Sequence, residues 1–237
     1  MKLSVLIPCC NEEKNIPRFA TELWPVLVGT GFDFEVILVD DGSKDSTLAE
    51  AAKLPQPQVR VVKHDTNKGL GAAIRSGIDA SSGDLLIPLD ADLTFHPTLI
   101  PALLRALSEH PTVDFVIGSP ALGGYGEEIP GWRLWISKAA NLLYGTLLGK
   151  PITSINQILR VYKTSQLKAL PLEAVGFDIN AEILFKLVFS GKTFVEIPAV
   201  LTQRIYGTSK LNYGREIRRH VVLLGKIISW KLFGFSV

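Results

Sequence analysis

Short apolar runs alternate with amphipathic stretches over the first half of the chain. Residues 3–8, 34–39, 59–63, 85–89 and 113–117 are runs of strand length bounded by polar turns. Asn11 stands where it would cap a helix to about residue 27, with Glu12 and Glu13 in its first turn. Further helices are predicted from the turn at 40–47 to about residue 53, after Gly71 to about residue 81, and over 97–108. Strands that alternate with helices imply right-handed crossovers, so the pattern predicts an α/β fold with a mostly parallel central sheet flanked by helices.

Beyond Gly118 the pattern is less regular. Gly123-Gly124-Tyr125-Gly126 reads as a mobile loop, residues 132–148 and 177–189 as helices, 193–197 as a strand, and 213–233 as a last, amphipathic helix. No repeat and no linker divides the chain. The expected organisation is one domain over residues 1–212 followed by a C-terminal helix over 213–237.

The candidate chemistry sits at the ends of the strands. Residues 85–89 run into Asp90-Ala91-Asp92, and strand alternation turns both carboxylates toward one point past the strand. Oxygen ligands there suit Mg²⁺, which is usually held by one or two carboxylates and substrate phosphates. The other polar turns fall at the same edge, where parallel sheets bind ligands. Asn67-Lys68-Gly69-Leu70-Gly71 fits either an incomplete phosphate loop or a tight strand-to-helix turn.

Composition narrows the classes. With 47% hydrophobic residues and a net charge of +2 over 237 residues, the chain is neither a disordered tail nor a nucleic-acid binder. Its C-terminal part is locally basic: Arg204, Lys210, Arg215, Arg218, Arg219, Lys226 and Lys231 face only Glu216. Apolar residues from Val221 to Phe235 are interrupted by Lys226 and Lys231, which suits a helix lying in a membrane interface better than one crossing it. Adjacent Cys9 and Cys10 make neither a disulfide framework nor a zinc site. With no signal-peptide pattern, the expected location is cytoplasmic, peripheral at the inner face of the membrane.

Taken in order, Ile7-Pro8-Cys9-Cys10-Asn11-Glu12-Glu13, Val39-Asp40-Asp41-Gly42-Ser43, Asn67-Lys68-Gly69-Leu70-Gly71, Asp90-Ala91-Asp92 and Arg204-Ile205-Tyr206-Gly207-Thr208-Ser209-Lys210 resemble the family 2 inverting glycosyltransferases of GT-A fold. The last motif resembles the polyprenyl-phosphate (dolichol-phosphate) mannosyl- or glucosyltransferases. The resemblance implies transfer of one hexose from a nucleotide sugar, GDP-mannose before UDP-glucose, to a polyprenyl phosphate, with Mg²⁺ or Mn²⁺ as cofactor. It implies that Pro8, Asn11, Glu12, Asp40, Asp41, Lys68, Asp90, Ala91 and Asp92 hold the nucleotide sugar, with Asp90 and Asp92 on the metal. Asp92, Arg204 and Lys210 match catalytic positions; Arg133, Ser137, Arg160, Glu182 and Ser209 match the sugar and acceptor region. A membrane-protein partner is also compatible.

Three departures stand out. Cys10 replaces an aromatic residue, Thr94 stands where Gln is common, and of the usual acceptor pattern over 154–160 only Arg160 is kept. Two other readings fit parts of the chain: a family 2 transferase acting on a saccharide or small hydroxyl, with Glu182 or Asp178 as base, and a nucleotide-binding regulator that retains the fold without transfer.

Overall fold

In the computed structural model, described over residues 1–55, 58–126, 131–207 and 213–234 with the side chains of 132–134, 136 and 213 left out, each expected strand is present. β1 (Lys2–Cys9) leads into a 3-10 turn (Ile16–Arg18), a π turn (Phe19–Leu23) and α1 (Trp24–Gly29). Then come β2 (Asp33–Asp41), α2 (Thr47–Ala51), β3 (Val59–His64), α3 (Leu70–Ala80) and β4 (Leu85–Pro88). A 3-10 turn (Pro97–Leu99) precedes α4 (Ile100–Glu109), followed by β5 (Phe115–Ser119), α5 (Pro120–Gly123) and α6 (Gly131–Leu148). The last elements are β6 (Arg160–Lys163), α7 (Thr164–Lys168), α8 (Ile179–Phe189), β7 (Phe194–Pro198) and α9 (Tyr213–Phe233).

The seven described strands form one sheet in the order β3-β2-β1-β4-β6-β5-β7. All neighbours are parallel except β6, which runs antiparallel between β4 and β5. The central strands are buried along nearly their whole length, which is why they read as continuous apolar runs rather than alternating ones. The chain reverses its direction across the sheet between β1 and β4, and the carboxyl ends of strands at such a switch form the ligand crevice.

Four expectations change. The helix expected from Asn11 begins only at Ile16, because Asn11 is left-handed (φ 53°) and reaches across to β2: its N–H donates to Ser43 Oγ at 2.8 Å and its Oδ1 accepts from Lys44 N at 2.7 Å. Pro17 and Pro25 lack the N–H that one continuous helix would need, and the region is broken accordingly. The stretch 123–126 is pinned, not loose: Gly126 N donates to Leu201 O at 2.5 Å and Leu201 N to Gly124 O at 3.2 Å. Lastly, β6 and α7 were not anticipated. Only Val161 and Tyr162 mark β6 as apolar, and Arg160 and Lys163 frame them.

Arg160 itself is a fold residue. Fully buried, it donates to Ser154 O at 3.3 Å, Ile155 O at 2.5 Å, Asn180 O at 2.9 Å and the Tyr162 hydroxyl at 3.1 Å. These bonds give Arg160, expected among the acceptor contacts, a part in holding residues 154, 155 and 180 together. Arg160→Leu strands those carbonyls in the core, and we expect a loss of roughly 3 kcal/mol in urea unfolding. A variant that unfolds like the wild type but cannot use acceptor would return Arg160 to the acceptor site.

Candidate active site

At the end of β4 the chain turns sharply. Leu93 is left-handed (φ 56°), an uncommon conformation for a γ-branched residue that costs on the order of 1 kcal/mol or more and tends to mark functional sites. Leu93 N bonds Asp90 O at 3.1 Å and Thr94 N bonds Asp92 Oδ1 at 3.0 Å, so the turn holds both acids of the pair close to one another. Arg18 supports it from outside, donating to Asp92 O at 2.8 Å while its guanidinium is clamped by Glu22 at 2.8 and 2.9 Å. Nothing in the motifs singled out Arg18; its i,i+4 spacing to Glu22 was the available signal.

The basic segment is delivered to the same point. Thr94 O accepts from Thr202 N at 2.8 Å and Thr202 Oγ at 2.9 Å, and Phe95 bridges Leu201. Two residues past this clasp, Arg204 Nη2 meets Asp92 Oδ2 at 2.6 Å. Asp92 is almost wholly buried, whereas Asp90 is half-buried. Burial, and after it the charge of Asp92, push the Asp90 carboxyl up to about 7; Arg204 opposes the rise and Glu12 adds to it. Even with Arg204 in contact, the pair is therefore short of positive charge. Its all-oxygen donor set fits a hard divalent cation completed by phosphate oxygens and water. Among the described residues no group of three or more His, Cys, Asp or Glu could hold a metal.

A second cluster lies at the ends of β1, β2 and β3. Asp40 accepts from Ser43 N at 3.2 Å through Oδ1, while its buried Oδ2 has no partner among the described residues. Asp41, also buried, accepts from Lys68 N and Gly69 N at 2.8 Å each and pairs with His64 Nδ1 at 2.7 Å. The Glu12 carboxylate accepts from Asn15 Nδ2 at 2.6 Å, and Glu12 N donates to Thr47 Oγ1 at 2.7 Å. Pro8 and Ala91 line the same edge within β1 and just past β4, and the Lys68 side chain is exposed.

Glycines 69 and 71 settle how that loop is used. A Cβ on Gly69 would come 2.3 Å from Val175 O, and one on Gly71 would come 2.1 Å from Ala174 O. Residues 174–175 cross directly over the start of α3, so the loop is a tight strand-to-helix turn. Glu182 holds that crossing segment, accepting from Glu173 N at 3.0 Å and Ala174 N at 2.8 Å while paired with Lys186 at 2.7 Å. It is 1% exposed, and its carboxylate holds this segment as well as standing where sugar or acceptor contact was expected. Ser137, half-buried on α6, hydrogen-bonds the Tyr125 hydroxyl. The Arg133 side chain, Ser209 and Lys210 lie outside the described residues.

The geometry agrees with what the chain resembles. The family model for Glycosyl transferase family 2 matches residues 4–168. The chain is 32% identical over 236 residues to a dolichol-phosphate mannosyltransferase of Pyrococcus furiosus, covering 98% of this chain and 65% of that one. It is also 32% identical to an undecaprenyl-phosphate mannosyltransferase of Micrococcus luteus (90% and 89% covered). The same identity relates it to a polyprenol monophosphomannose synthase of Mycolicibacterium smegmatis (97% and 87% covered). Among solved structures, glucosyl-3-phosphoglycerate synthase from Mycobacterium tuberculosis, in complex with Mn²⁺, UDP and phosphoglyceric acid, superposes with a TM-score of 0.68 at 20% identity, over 95% of this chain and 78% of that one. The sheet order, the acid pair at its switch point and these matches lead to one conclusion: the chain belongs to glycosyl transferase family 2 and has the GT-A fold.

Proposed function

We propose that the protein transfers one mannosyl unit from GDP-mannose to a polyprenyl phosphate with inversion, giving a lipid-phosphate-linked sugar. The observation that carries this reading is the meeting of Asp90, Asp92 and Arg204 at one point of the crevice. Mg²⁺ or Mn²⁺ on the acid pair would neutralise the diphosphate as it leaves. Arg204 supplies a fixed positive charge beside it, and Lys210 and Ser209 belong to the same segment. Mannose is favoured over glucose because the three relatives are all named for mannose and a phosphorylated polyprenol.

The acceptor needs no base. A lipid phosphate has its second pKa at about 6 and is ionised at neutral pH. A hydroxyl acceptor would require one; of the two carboxylates considered for that role, Glu182 is buried on Lys186 and Asp178 accepts from Gly176 N at 3.0 Å. The unpartnered Oδ2 of Asp40 offers an acceptor for an N–H on the base edge, which guanine and uracil both present.

Residues 1–212 would carry the transfer and 213–237 the contact with the membrane. Helices α6 and α9 touch, and Lys231 on α9 donates to Leu147 O at 2.8 Å on α6. Together they leave Trp135, Leu142, Val221, Leu232 and Phe233 exposed. Among the described residues no helix is long and apolar enough to cross a membrane, so these side chains suit a peripheral position at the inner face, alone or beside a membrane-protein partner.

Three outcomes are expected. Label from GDP-mannose should appear on polyprenyl phosphate in detergent, depend on Mg²⁺ or Mn²⁺, and exceed that from UDP-glucose; label that reaches only free saccharides would refute the lipid acceptor. Metal binding should depend on pH in a set direction. A carboxyl raised from 3.8 to about 7 keeps a proton that the unfolded chain releases, so metal-free stability declines as pH rises through that window while cation affinity increases. Mn²⁺ should therefore raise the melting temperature more at pH 7.5 than at pH 5.5, and Asp90→Asn should remove the effect; an unchanged response would take the metal off Asp90. Flotation with anionic vesicles should carry the wild type up and leave Leu232→Asp/Phe233→Asp largely behind, whereas equal flotation would place membrane contact elsewhere.

A further inference from the structure

His64 is a buried, fully bonded imidazole to which the transfer chemistry assigns no task. Its Nδ1 lies 2.7 Å from Asp41 Oδ1 and its Nε2 lies 2.9 Å from Ser76 Oγ, so it joins the end of β2, the end of β3 and the body of α3. A carboxylate only accepts, so Nδ1 carries the proton of the bond to Asp41, while Nε2 and the Ser76 hydroxyl share the second hydrogen bond. Asp41 thereby receives three donors: His64 Nδ1, Lys68 N and Gly69 N.

The two backbone donors belong to the turn that closes the β1–β3 side of the crevice. Gly69 holds that turn at φ 94°, and Gly42 (φ 71°) brings the β2 turn so close that a Cβ there would meet Asn67 N at 2.6 Å. On the crevice side Asn67 Nδ2 reaches across to Cys10 Sγ at 3.3 Å. The turn thus has one face on the Asp41–His64–Ser76 relay and the other on the loop after β1.

We infer that His64 is a positioning residue of the donor site: by bridging Asp41 to Ser76 it sets the Asn67–Lys68–Gly69 turn at the nucleoside end of the crevice. The inference rests on the donor-site reading above. Its effect falls on nucleotide binding and not on the bond-breaking end, where Asp90, Asp92 and Arg204 stand.

The test is titration of the full chain with GDP and with UDP in the presence of Mn²⁺, for wild type, His64→Ala, His64→Asn and Ser76→Ala, with melting curves for each. The account predicts that His64→Ala weakens binding of the preferred nucleotide about tenfold and raises the donor KM by a similar factor, while kcat changes far less. His64→Asn, whose amide N–H replaces Nδ1–H, recovers most of the loss, and Ser76→Ala lies between. Should His64→Ala fail to fold, His64→Asn and Ser76→Ala carry the comparison. Folded variants that bind nucleotide as the wild type does, or that lose kcat alone, overturn the inference. A wild type that binds neither nucleotide overturns the donor-site reading itself.

Discussion

Two carboxylates at the end of one strand repel each other, and much of the surrounding structure acts to keep them there. The Leu93 turn accepts a left-handed backbone, Arg18 holds the Asp92 carbonyl from behind, and the Thr94–Thr202 clasp brings Arg204 onto Asp92 at 2.6 Å. Without that cation and a metal, enclosure would drive Asp90 toward its neutral form. The constraint is electrostatic, and the fold meets it with distant pieces of chain: Arg204 lies 112 residues past Asp92 in sequence yet pairs with its carboxylate.

The same economy links the C-terminal helix to the crevice. Glu216 on α9 accepts from Phe177 N at 3.1 Å, Lys226 pairs with Glu173 at 2.5 Å, and Trp230 lies over the ammonium of buried Lys186, whose partner Glu182 holds residues 173 and 174. Ala174 and the next residue, Val175, press on the bare backbone of Gly71 and Gly69, and Asp41 accepts from Gly69 N. The segment 173–177 is thus clamped between α9 and the first turn of α3. Packing of the helix that carries the apolar surface and shape of the nucleoside end are therefore parts of one continuous contact network.

Much of this was legible along the chain. Strands buried on both faces announce themselves as apolar runs, and motifs at their carboxyl ends point to the crevice because a parallel sheet puts all those ends together. Arg204, from the basic segment, pairs with Asp92 of the acid pair. What was hidden depends on tertiary contact. Arg160 and Glu182 look like surface charges available to a ligand until the backbone groups that surround them are known, and a four-residue antiparallel strand has too little pattern to be recognised. Asn11 carries a helix-capping signature, yet its side chain is drawn into the contact with Lys44, a competition no local rule expresses. His64 gave no signal at all, since its two partners lie 23 residues before it and 12 after it.

The most direct test of the account is a structure of the full chain with Mn²⁺ and GDP, with the metal located by its anomalous scattering. The account predicts one strong peak between the Asp90 and Asp92 carboxylates, shared with the diphosphate, with Arg204 beside the phosphates and the base against Asp40. A metal bound away from the acid pair, or a diphosphate seated far from Arg204, would contradict it.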